Sequence, residues 1–352
     1  MEFYTFIYLL LFLGSLRNSK KIGTLASITL ILIIGLRYDV GVDYLSYFSW
    51  YENEILGDFT LSYIEPGFTV LANLLRYFGF GPQSLFFASA VITIYFIQKS
   101  SNALSLNLSK TIFLFYIANG YFFSVNGVRQ AIAAAVILWF LSQYTKSKPS
   151  IKILQILFAS VFHYSALIFL LFILVDLRIK VSGFVILAIS ICFMLVATQL
   201  NILELILNNL SEYLPSKYIV LGEHALNYTK GNGSGLGLLL LISTYIFLLV
   251  AGYRYYDYRD ESFRVMFNVT FIALMLSVLQ YQNPLFERLS IYFKWGFFIY
   301  VPFLINKIKY EYGLNNSVYI YVALTTATSL MFFYVIYNEL YRLSPYQSVI
   351  KF

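Results

Sequence analysis

Long apolar runs separated by short polar stretches make up most of this chain. They fall near 2–16, 22–36, 83–98, 111–125, 127–145, 151–163, 164–177, 182–200, 236–252, 265–282, 286–305 and 317–337. A membrane-crossing helix needs about 20 mostly apolar residues. In lipid, only helices and closed barrels satisfy every backbone group internally. The pattern therefore predicts an all-α polytopic membrane protein with about 12 transmembrane helices, several of them short. With no internal repeat and no soluble domain, residues 1–352 read as a single integral membrane domain. A weaker run at 64–80 carries Glu65, Pro66, Gly67, Arg76 and Gly79. It reads either as a full crossing or as a re-entrant or interfacial segment.

Composition narrows the choice. Charged residues make up 12% of the chain, half of the roughly 25% of a soluble domain, and mean hydropathy is +0.73. Too few charges remain to cover a water-exposed surface, which sets aside soluble enzymes and nucleic-acid binders. The single cysteine, Cys192, forms no intrachain disulfide. Two histidines, His163 and His224, are too few for a His-rich metal site, so neither metal nor cofactor is expected. The chain opens with Glu2 and lacks a basic segment before its first apolar run, which is therefore expected to stay as a helix.

The net charge of +7 is a topology signal, because basic residues gather on cytoplasmic loops. Six basic stretches, at 17–21, 99–110, 146–152, 178–180, 253–264 and 306–309, carry most of the 24 Lys and Arg. All six face the cytoplasm if 64–80 does not cross, and both termini then lie outside. The largest outward segments are the extracytoplasmic loops 37–63 and 201–235. The second begins ILELILNNLSEYL, apolar at helical spacing and suited to a membrane surface, and ends in the glycine-rich KGNGSGLG.

Under this topology Arg37, Arg129, His163 and Arg288 all lie near the outer face, although other residues set the orientation. Singly, each has an ordinary explanation. A lone arginine at a span end is often a headgroup anchor, and Asp39 and Asp43 suit a solvated loop. Together they suggest one shared site, since ionisable groups near a membrane usually mark a pair or a function. Arginines grip phosphate oxygens with a planar fork. A lipid diphosphate would sit at this depth, and a nearby carboxylate would serve as general base. The aromatic run YLSYFSWYE (44–52) offers either stacking faces for sugars or an interfacial aromatic belt.

Six short motifs then align in order. GLRYDVGVDYLSYFSWYE (35–52) and IEPGF (64–68) resemble the G-x-R-x-x-x-G-x-D-Y-x-x-Y and E-P-G-F signature of the EpsG-like, Wzy-type polysaccharide polymerases. NGVRQAIAAA (126–135) is similar to that family's G-x-R-Q-x-I-A stretch. FHYSALI (162–168) is similar to its F-H-x-S-A element, ERLSIYF (287–293) to N-R-x-x-x-Y-F, and SPYQSVI (344–350) to its C-terminal P-Y motif. Glu287 stands where the pattern has Asn, so its carboxylate is not carried over as catalytic.

The resemblance implies a GT-C-like helical fold in the bacterial cytoplasmic membrane with a site facing the periplasm or outside. It implies transfer of a growing glycan from an undecaprenyl-type polyprenyl diphosphate onto an incoming lipid-linked repeat unit. The products would be O-antigen, capsule or exopolysaccharide, made without a nucleotide sugar or metal. The partners are the lipid-linked oligosaccharide donor and acceptor, membrane lipid and a chain-length regulator, with no nucleic acid.

Within that frame Arg37, Arg129 and Arg288 are the expected diphosphate ligands. Asp43 is the first choice of base and Glu65 the second, while His163 serves as base or phosphate donor. Tyr38, Asp39, Gln130 and Tyr292 are expected to support them. A lipid-linked-oligosaccharide flippase and an O-antigen ligase are the alternatives. A flippase should have a cationic cavity at mid-membrane depth and usually an internal repeat.

Overall fold

The computed structural model describes residues 1–53, 64–174, 185, 188–189, 191–193, 236–255, 260–280 and 285–350. Most of the predicted span at 182–200, and the whole predicted loop at 201–235, lie outside the described residues. Among the described residues the structure is helical, with one isolated β-bridge between Arg37 and Ser348. Two compact units are formed, one by residues 1–176 with 295–352 and the other by 177–294.

In the first unit the helices are α1 (Glu2–Ser15), α2 (Lys20–Gly35), α3 (Tyr44–Asn53), α4 (Pro66–Tyr77), α5 (Gln83–Ala103), α6 (Leu108–Ile117), α7 (Gly120–Asn126), α8 (Val128–Ser142), α9 (Pro149–Phe162) and α10 (Ile168–Leu174). The second unit contains α11 (Leu236–Arg254), α12 (Glu261–Leu279) and α13 (Leu285–Lys294); α12 packs against both of the others. The chain then returns to the first unit as α14 (Phe297–Tyr312) and α15 (Leu314–Tyr337).

Among the described residues, four segments are long and apolar enough to cross a membrane: Gly237–Arg254, Glu261–Leu279, Phe286–Tyr312 and Leu314–Tyr337. The shorter apolar helices include α1, α6, α8 and α9. At about 1.5 Å per residue, a helix of 14 residues such as α1 rises roughly 21 Å, less than the roughly 30 Å of hydrocarbon. The run at 111–125 is two pieces, because Asn119 is left-handed (φ 71°) between α6 and α7.

Helix α8 is the centre of the first unit. Its run from Ala131 to Leu138 is fully buried, as expected for a helix apolar on all sides. The alanines at 131 and 133–135 let α5 and α9 pack on either side, the close approach that small residues permit within membranes. Gly35 makes a comparable contact, where a Cβ would lie 2.9 Å from the Cα of Phe87.

The segment at 64–80 forms one short helix with both flanks tied to neighbouring helices. Helix α4 has 12 residues and rises only about 18 Å. Glu65, at its start, meets Arg129 at the start of α8 and His163 at the end of α9. Beyond it, the Gln83 side chain donates to the Gly35 and Arg37 carbonyls at the end of α2 (2.6 and 3.0 Å). Both flanks of α4 thus belong to the same end of the unit. The C-terminal segment is tied there as well. The Tyr38 amide donates to the Gln347 carbonyl (2.9 Å), and the Val349 amide donates to the Leu36 carbonyl (2.9 Å).

Candidate functional site

The site begins with a helix start. Glu65 is the N-cap of α4, with Pro66 at the first helical position, where a fixed φ and a missing N–H cost nothing. Its carbonyl accepts the Phe68 and Thr69 amides at 3.1 and 3.2 Å. A carboxylate at a helix N-terminus is favoured by the helix dipole. The side chain is buried, and both of its oxygens are occupied. Oε2 pairs with Arg129 Nη1, and Oε1 lies 2.6 Å from His163 Nδ1.

Arg129 sits in the first turn of α8 and donates from Nε to the Tyr47 hydroxyl of α3 (3.4 Å). Its side chain is 23% exposed and that of His163 is 22% exposed, so both reach past the buried Glu65. His163 ends α9 in extended backbone (φ −159°) before the 3-10 turn Tyr164–Leu167. That break in the helix aims the imidazole across at α4.

Electrostatics fit this arrangement. Burial alone would raise the Glu65 pKa. The hydrogen bond from His163 and the charge of Arg129 outweigh it, holding the carboxyl below its ordinary range. Burial pushes the Tyr47 phenol up, so it stays a neutral hydroxyl beside the guanidinium. Asp43 lies one turn before Tyr47 on α3; its carbonyl accepts the Tyr47 amide (3.1 Å), and its charge acts on the Tyr47 phenol. Gln130, next to Arg129, is buried in α8.

Helix α4 approaches α9 at Gly67. A Cβ there would lie 2.6 Å from Val161 Cγ1 and 2.9 Å from the Val161 carbonyl oxygen. Gly67→Ala is therefore expected to push α4 away and separate Glu65 from His163. Overpacking of this kind costs about 1–3 kcal/mol, and a 1 Å displacement of a site group about 10²-fold in rate. Glycan length on gels, beside a melting curve of the purified variant, should show activity falling further than stability.

Arg37, expected as a diphosphate ligand, faces the protein interior in the structure. It is fully buried, and its guanidinium donates to the carbonyls of Val40 (3.0 Å), Ile34 (2.6 Å) and Val125 (3.1 Å). The Phe86 ring lies 4.5 Å from it. Ile34 and Val125 belong to the last turns of α2 and α7, whose carbonyls lack helical partners. Arg37 therefore caps two helix ends. The aromatic run is corrected in the same direction. Tyr44, Tyr47, Trp50 and Tyr51 are buried with Phe68 and Phe86 as the core between α3, α4 and α5, not as open sugar platforms.

Of the remaining expected residues, Tyr38 is exposed. Asp39 has φ 50°, and its Oδ1 is buried without a hydrogen bond. Arg288 is exposed and Tyr292 buried, both on α13 in the second unit. Arg76, which sequence reasoning did not place in the site, donates from Nε and Nη2 to the Tyr51 carbonyl (3.1 and 2.9 Å) and stacks on the Tyr51 ring. It anchors α3 to α4. Its position one helix length after Glu65 was the available signal. Among the described residues, no three His, Cys, Asp or Glu side chains are grouped as metal ligands would be.

A model of the EpsG family matches residues 20–348. The chain belongs to the EpsG family. Neither a curated protein nor a solved structure matches it significantly. The EpsG match takes in every residue of the Glu65–Arg129–His163 cluster, and membership suggests a polysaccharide-polymerase-like function.

Proposed function

We propose that this EpsG-family protein joins polyprenyl-diphosphate-linked oligosaccharide repeat units at the outer face of the bacterial cytoplasmic membrane and releases polyprenyl diphosphate. Twelve crossings with both termini outside are part of the proposal, in keeping with the basic stretches. The observation that carries it is Arg129. Glu65 and Tyr47 hold its Nη1 and Nε, while Nη2 bonds to no described residue. A guanidinium fixed in this way presents its remaining donors to a phosphate oxygen without further ordering.

In this reading Arg129 binds the diphosphate and stabilises charge on the leaving oxygen. Arg288 is proposed as a second phosphate contact, from its place in the sequence motif. A group of the Asp43, Glu65 and His163 cluster takes the acceptor's proton. The acceptor is a lipid-linked unit, which distinguishes the reading from a ligase. A chain-length regulator would act from outside this chain.

Deleting the gene in its native host tests the proposal. Single lipid-linked repeat units are expected to reach the outer face, with no long glycan. Units retained on the cytoplasmic side would mean a flippase and refute it.

A further inference from the structure

The Glu65–His163 contact decides more than proximity. The Glu65 carboxylate, paired with Arg129, has only acceptor atoms. His163 Nδ1, 2.6 Å away, must therefore carry the proton of that bond. In the neutral imidazole this leaves Nε2 as the basic nitrogen. Nε2 bonds to no described residue, and the side chain is partly exposed. Both Glu65 oxygens are already engaged.

We propose that His163 Nε2 takes the proton of the acceptor hydroxyl, and that Glu65 is the positioning residue that fixes the neutral ring's proton on Nδ1. The inference rests on the polymerase reading. In the step, the acceptor O–H proton passes to Nε2 while the acceptor oxygen bonds to the anomeric carbon. The bond from that carbon to the diphosphate oxygen breaks, and its electron pair leaves with polyprenyl diphosphate. His163 then returns its proton to the released diphosphate or to water.

Glu65→Gln is the informative change. Arg129 offers only donors, so it claims the amide oxygen. The amide NH₂ is left facing His163 Nδ1, which must then accept, and the proton moves to Nε2. The base is blocked with the packing intact.

The charged groups facing His163 are Glu65 from the start of α4 and, through it, Arg129 from α8; Tyr47 of α3 faces Arg129. A general base acts only while unprotonated, so the wild-type rate is expected to fall on the acid side. Glu65→Gln removes the carboxylate and leaves Arg129 unneutralised. The acid limb of Glu65→Gln is therefore expected to differ from that of wild type.

The experiment uses the full chain in proteoliposomes with lipid-linked repeat units from the host. It measures elongation and release of polyprenyl diphosphate across about pH 5 to 8, where histidine titrates. His163→Ala and Glu65→Gln are each expected to lose roughly 10²–10⁴-fold in kcat with donor KM nearly unchanged. Added imidazole should restore part of the His163→Ala rate, which a folding defect would not allow, and Asp43→Asn should keep the acid limb.

Several results overturn the assignment while leaving the polymerase reading in place. They are an acid limb lost in Asp43→Asn, a Glu65→Gln profile identical to wild type, or a His163→Ala defect confined to donor KM. Transport of the lipid-linked unit by wild type, without elongation, overturns both.

Discussion

Arg37→Met is expected to prevent the protein from accumulating in the membrane. The change removes three donors from three carbonyls, those of Ile34, Val40 and Val125, without opening the site to water. Each buried acceptor left unsatisfied costs about 1–3 kcal/mol, so the loss is roughly 3–9 kcal/mol. Whole-protein stability is typically about 5–15 kcal/mol. The charge matters as well as the shape. Burial pushes the Arg37 pKa down to about 10, which still leaves it a cation at neutral pH, held at the negative ends of α2 and α7. Arg37→Lys keeps the charge but replaces a three-nitrogen fork with one ammonium, and it should recover only part of the loss. Immunoblots of membrane fractions and thermal melts in detergent check the series. Near-normal levels of Arg37→Met, combined with lost polymerisation, would instead return Arg37 to substrate binding.

The same residue shows where sequence reading stops. An arginine after an apolar run is legible as a charge near a membrane surface. That it turns inward depends on α7 arriving beside α2, with Val125 lying 88 residues away. Charges stand out in a chain this apolar, so Glu65, Arg129 and His163 were all visible as members of one site. Their pairing was not, because it needs α4 to double back onto α9 through the contact at Gly67. The buried face of α3 was more accessible. Tyr44, Tyr47 and Tyr51 recur at helical spacing, which marks a core stripe before it suggests a sugar platform. The break at Asn119 was hidden, because the run 111–125 is apolar on both sides of it.

Arg129→Lys is expected to lower polymerisation roughly 10²–10³-fold at near-normal protein levels. Lysine keeps a positive charge beside the Glu65 carboxylate, so the buried anion stays neutralised and the fold survives. One ammonium cannot pair with Glu65, bond Tyr47 and still present a planar pair of donors to a phosphate. The loss corresponds to removing one donor to a developing oxyanion, about 2.7–4 kcal/mol, and should appear in kcat more than in donor KM. Arg129→Ala should behave differently. It strands Glu65 with only His163 as partner, and breaking a buried pair costs about 3–5 kcal/mol, so stability falls along with activity. Adding Glu65→Gln to Arg129→Ala removes the stranded charge. The double variant should regain much of the melting temperature and none of the activity. Measuring elongation and melting for all three variants separates the two roles of Arg129. If Arg129→Lys elongates glycan at the wild-type rate, the forked phosphate contact is wrong, and Arg129 serves only to balance Glu65.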